Sequence, residues 1–178
     1  MMTPLLLLLA ALSDPGGVSP GTDIALNPAR PTRETAIRET AMFRKIDDSI
    51  SVSPQISPDQ VAEAAAQGFT MIINNRPDDE QPGQPSGAEI EAAAKAAGLQ
   101  YRAIPIGHSG FSEPQVKAMA AALADANGPA LAFCRSGTRS TFAWALARGA
   151  AGDTAEGIAA KAAAAGYDIA PIRAFLPN

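Results

Sequence analysis

The chain has 178 residues, 47% of them hydrophobic, a net charge of −4 and an isoelectric point near 4.9. That length fits one compact domain, and the acidic balance argues against a nucleic-acid-binding surface. One cysteine and one histidine exclude an internal disulfide, a multi-cysteine zinc site and a histidine-rich metal site, and no run approaches the roughly twenty apolar residues that span a bilayer.

The first 41 residues differ from the rest. Pro4 to Leu12 has the length of a signal-peptide core, and Ala11-Leu12-Ser13 offers a small-residue cleavage site, but no Lys or Arg precedes it. Asp14 to Thr40 is rich in Pro, Gly, Thr and Arg without periodicity and reads as disordered. Arg33-Glu34-Thr35-Ala36 recurs as Arg38-Glu39-Thr40-Ala41, too short to define a structural repeat. Residues 1–41 are therefore read as a leader or as an over-long gene model starting before Met42, and residues 42–178 as one catalytic domain. Cytoplasmic residence is expected, with export by a signal peptide as the alternative.

From Met42 the pattern alternates strand and helix. Ser49 to Ser53 alternates polar and apolar, as a half-buried strand does. Ser57, Pro58 and Gln60 mark a helix start, and that helix stops at Gly68. Phe69 to Ile73 is a buried strand followed by a polar loop from Asn74 to Pro85. Ser86 with Glu89 starts a second helix, ended by Gly98, and Leu99 to Ile104 is the next strand. Ser112 with Gln115 opens a third helix that ends before Asn127-Gly128. Pro129 to Phe133 is a strand, Ser140 to Arg148 a helix, Asp153 with Glu156 caps another helix closed by Gly166, and a short helix follows Pro171. Such alternation predicts an α/β fold: a mostly parallel sheet flanked by helices, with its site beyond the C-terminal strand ends. Three loops meet there: 74–85, 105–112 and 134–139.

The third of these carries the chemistry. Phe133-Cys134-Arg135-Ser136-Gly137-Thr138-Arg139-Ser140 joins a strand to a helix through a tight polar loop. Loop amides and a helix N-terminus make an anion cradle, and a cysteine at its mouth favours the nucleophilic thiolate. Arg139 can grip a tetrahedral anion through two hydrogen bonds, and Arg135, Ser136, Gly137, Thr138 and Ser140 complete the candidate anion-binding loop. A lone cysteine can be an inert core hydrophobe, but packing gives no reason for two arginines, a glycine and three hydroxyls within six positions. His108, in a loop that holds no carboxylate, and Asp78 are candidate acids or bases. Asp78 is also a candidate orienter of Arg139, although the run Asp78-Asp79-Glu80 equally reads as a solvated loop. Arg76 is a candidate anion binder or the partner of a nearby carboxylate.

Four residues separate Cys134 from Arg139. This resembles the loop of rhodanese-type sulfurtransferases; the protein tyrosine phosphatase superfamily places five there, where this chain has Ser140. More widely, Phe43-Arg44-Lys45-Ile46-Asp47-Asp48, Val52-Ser53-Pro54-Gln55-Ile56, Asn74-Asn75-Arg76-Pro77-Asp78, Pro82-Gly83-Gln84-Pro85-Ser86 and the cysteine loop resemble one family. It is the phosphatase-like domain of beta-lactamase-hydrolase-like proteins, also described as sulfurtransferases. The resemblance runs from about Met42 to about Leu176 and implies a cysteine-phosphatase-like fold with a rhodanese-length loop.

Loop length and the missing carboxylate acid favour sulfur transfer: Cys134 takes sulfane sulfur from thiosulfate or a persulfide and passes it to a thiol acceptor. The alternative is a phosphomonoesterase acting through a phosphocysteine, with His108 or Asp78 as acid. A third reading is a non-catalytic anion-binding or redox-sensing module. In each case the expected partner is a small anion, with no cofactor, nucleic acid or membrane.

Overall fold

The computed structural model describes residues 42–177. The segment read as a leader, with its recurring Arg-Glu-Thr-Ala phrase, lies outside the described residues.

Five strands form one sheet: β1 (Arg44–Lys45), β2 (Ile50–Ser53), β3 (Met71–Asn74), β4 (Gln100–Ala103) and β5 (Ala130–Phe133). Their spatial order is β1-β2-β5-β3-β4. Only β1 runs antiparallel; β2, β3 and β4 are all aligned with β5 or its neighbour. The α/β fold with a mostly parallel sheet is therefore as expected. The two-residue edge strand β1 escaped the sequence pattern because it is too short to show a period.

Among the described residues five α-helices follow the strands: α1 (Pro58–Ala66), α2 (Gly87–Ala96), α3 (Glu113–Asp125), α4 (Thr138–Ala150) and α5 (Ala155–Ala164), then a 3-10 turn at Ala170–Phe175. The first three start where the serine signals place them. The Ser57, Ser86 and Ser112 amides donate to Gln60, Glu89 and Gln115, each at 2.8 Å. These reciprocal caps satisfy donors that the first helical turn would otherwise leave unpaired. Two boundaries differ from expectation. Thr154, not Asp153, caps α5 by accepting from the Gly157 amide at 3.2 Å, because Asp153 is drawn into an ion pair with Arg148 at 2.8 Å. Helix α4 begins at Thr138, two residues before the expected Ser140, and so takes Arg139 into its first turn.

Alternation along the central strands divides the core. Ile72, Leu131 and Phe133 pack with Val61, Ile90 and Leu99 under α1 and α2. Met71, Ile73, Ala130 and Ala132 pack with Met119, Trp144 and Ile158 under α3, α4 and α5. Small alanines on β5 let α4 approach the sheet closely, as helix–sheet packing at interior density requires. Among the described residues no helix is long and apolar enough to cross a membrane.

Candidate active site

Strand β5 delivers Cys134 to the C-terminal edge of the sheet, between β2 and β3. The Cys134 amide donates to Ser53 at 3.4 Å, the Asn75 amide to Phe133 at 2.9 Å, and the Gln55 amide to Arg135 at 3.4 Å. The loop root is thus stitched to both neighbouring strand ends. Cys134 is fully buried. Its Sγ accepts a hydrogen bond from the Gly137 amide at 3.1 Å.

Gly137 is the N-cap of α4 with φ of 91°. That left-handed conformation suits a residue without Cβ, and it turns the amide inward toward the sulfur. Helix geometry leaves the amides of Thr138, Arg139 and Ser140 without a carbonyl one turn back, so the N-terminus of α4 adds positive potential at the cysteine. Ser140 is fully buried, and its hydroxyl has no hydrogen-bond partner among the described residues. Thr138 interacts with the Ser136 hydroxyl at 3.1 Å. Arg135 is exposed and pairs with no carboxylate among the described residues.

Arg139 is fixed from two directions. Nη1 donates to the Ile106 carbonyl at 2.6 Å, and the two terminal nitrogens straddle Glu80, each at 2.8 Å. A guanidinium carries five N–H donors. The end-on grip of Glu80 and the Ile106 contact use three of them, leaving the side edge made by Nε and the outer Nη2 hydrogen. Arg139 is also coupled electrostatically to Cys134. Burial pulls the Arg139 proton affinity down, but Glu80 and Cys134 outweigh this and raise it above the ordinary arginine value.

Glu80 is the residue that sequence reasoning missed. It follows Asp79, whose φ of 59° turns the chain. Its side chain is only 11% exposed and bridges Arg139 to Arg76, whose Nε lies 2.7 Å away. The Arg139 guanidinium, with Arg76 behind it, holds the Glu80 carboxyl down at about 2. Glu80 is therefore a fixed anion at neutral pH. The only local signal was an acidic residue beside an arginine-proline turn, and nothing local distinguishes it from Asp78 or Asp79.

Three expectations are corrected or refined by this placement. Arg76 is buried, and its other nitrogens donate to Gln55 at 2.9 Å and Gln81 at 2.7 Å. It braces Glu80 and is held by two glutamines, which favours the carboxylate-partner reading over the substrate-binding one. Asp78 does not orient Arg139. Its Oδ1 accepts from the Gly87 amide at 2.7 Å, where it complements the N-terminus of α2. His108 is exposed in the turn two residues beyond Ile106, the residue whose carbonyl Arg139 holds.

Residues 42–153 match the model of the beta-lactamase hydrolase-like protein, phosphatase-like domain. The chain belongs to this family. It is 36% identical over 102 residues to a beta-lactamase hydrolase-like protein of Agrobacterium fabrum, a stretch covering 57% of this chain and 24% of that protein. The matched region thus spans about a quarter of that longer relative. Among solved structures it is similar to a Neisseria meningitidis protein described as a "putative phosphatase", with a TM-score of 0.67 and 30% identity over 75% of this chain and 95% of the other. The fold is also that of Tk-PTP in its active form, at a TM-score of 0.54 and 17% identity over 70% and 84% of the two chains. The family resemblance read from the cysteine loop and the Arg-Pro-Asp segment is borne out, and the domain is phosphatase-like.

Proposed function

We propose that the protein is a phosphomonoesterase working through a phosphocysteine at Cys134. The observation that supports this best is the division of the Arg139 donors. Glu80 and Ile106 take three of the five guanidinium donors, and the two that remain match two oxygens of a phosphoryl group. The Cys134 thiolate attacks phosphorus, the S–P bond forms as the ester P–O bond breaks, and the leaving oxygen takes a proton. Arg139 and the amides at the start of α4 receive the charge carried by the phosphoryl oxygens. Water then attacks phosphorus, the S–P bond breaks, and inorganic phosphate leaves with the thiolate restored. Exposed Arg135 adds attraction for an anionic ester at the mouth.

Glu80, clamped as an anion, is no proton donor at neutral pH. His108, on the loop that Arg139 holds at Ile106, is the better acid. His108→Ala should then cost about a hundredfold in kcat/KM on an alkyl phosphate and little on p-nitrophenyl phosphate, whose leaving group needs no proton. Equal losses on the two substrates would remove His108 from that role.

The four-residue spacing between Cys134 and Arg139 supports sulfur transfer as the second reading, since a smaller ring suits a single sulfur atom. One experiment separates them. Purified protein is assayed for phosphate release from p-nitrophenyl phosphate, and its intact mass is followed through thiosulfate and then cyanide. Phosphate release with no added sulfur is expected. One sulfur atom gained, then lost to cyanide, without phosphate release would assign the site to sulfur transfer.

A further inference from the structure

Tyr167 lies beyond the residues matched by the family model, yet it reaches the cysteine loop. It follows α5, is only 8% exposed, and its hydroxyl donates to the Ser136 carbonyl at 3.4 Å. A Cβ built on Gly137 would lie 2.1 Å from that hydroxyl and 2.8 Å from Cζ of the ring. The phenol therefore occupies the space a side chain at 137 would need. It backs the same Ser136–Gly137 peptide whose N–H points at the Cys134 sulfur. From the other side the Arg44 guanidinium sits 5.4 Å over the Tyr167 ring centre. A Cβ on Gly166 would come within 3.1 Å of Arg44 Nη1, so the absence of a side chain there lets Arg44 settle over the ring. Burial raises the Tyr167 phenol above its ordinary proton affinity, which keeps it a neutral donor.

We propose that Tyr167 is a positioning residue for the nucleophile: held by Arg44, its hydroxyl pins the Ser136–Gly137 peptide so that the Gly137 N–H stays aimed at Cys134 Sγ. The proposal rests on Cys134 being the reactive nucleophile, whichever group it transfers. It joins β1 and the segment after α5 to the catalytic loop, and makes the C-terminal segment part of the site.

The test is Tyr167→Phe, which keeps the ring under Arg44 and removes only the hydroxyl. Phosphate release from p-nitrophenyl phosphate should show kcat reduced about five- to tenfold with KM within twofold. The rate of Cys134 alkylation by iodoacetamide, read by intact mass at pH 7, should fall by a similar factor while the thermal midpoint moves little. Arg44→Met should move both rates in the same direction by a smaller factor. Gly137→Ala should impair alkylation, and its effect should be coupled to that of Tyr167→Phe in a double-mutant cycle. Alkylation in both Tyr167→Phe and Arg44→Met within twofold of the unsubstituted protein would overturn the proposal. Slowed alkylation in a protein whose unsubstituted form releases no phosphate would leave Tyr167 in its role and refute the phosphatase reading instead.

Discussion

Cys134→Ser should abolish turnover, lowering phosphate release by at least about a thousandfold, while the protein folds as before. A serine hydroxyl is isosteric with the thiol at this fully buried position. Its hydroxyl is far less acidic than a thiol, and Glu80, committed to two arginines, is not free to act as its base. Much of the cradle does not depend on the sulfur: Ile106 and Glu80 hold Arg139, and the Gly137 carbonyl is held by Thr141. Phosphate or vanadate should accordingly still bind the variant, which isothermal titration can measure. Turnover that survived the change would place the chemistry elsewhere and sink every cysteine-based mechanism.

Glu80→Gln should be the most damaging change at a position that never touches the reacting atoms. The amide keeps the shape but leaves Arg139 and Arg76, both largely buried, facing each other without the anion between them. Removing one partner from such a group costs about 1–3 kcal/mol, visible as a lower urea midpoint. Activity should fall tenfold or more, because Arg139 loses the grip that aims its free edge. The effect has a pH signature. The Glu80 carboxyl is held at about 2 in the folded protein against an ordinary value of 4.5. Its contribution to stability is therefore complete above about 4.5 and is lost as pH falls toward 2. Urea titrations at pH 7 and pH 3 should show the native protein losing this contribution, and Glu80→Gln, which has none to lose, changing less. Equal losses in both would show that other carboxylates govern acid unfolding.

The comparison of these two residues shows what a linear pattern carries. Cys134 was legible because strand, glycine turn, arginine and helix start are contiguous, so the cradle is a local property of eight residues. The capping serines at 57, 86 and 112 were legible for the same reason, each signal closing within three positions. Glu80 was not, because its meaning comes from Arg139, fifty-nine positions away. Tyr167 meets Ser136 across thirty-one positions. Asp78 and Arg76 were placed in the right loop by the rule about strand ends, but which carboxylate meets which guanidinium is decided by a turn at Asp79 that composition does not announce. The choice between sulfur and phosphate was weighted by loop length; the relatives and the free edge of Arg139 shift that weight toward phosphate.

The strand order has a consequence for how the protein comes into being. β5 is the last strand to be synthesised, yet it lies between β2 and β3, which have no pairing with each other. Until residues 130–133 emerge, the earlier strands have no centre to align against, and the sheet cannot close. The residue that follows at once is Cys134. A chain that ends before residue 130 therefore holds neither a closed sheet nor the thiol, and the strand that completes the sheet is the one that delivers the nucleophile.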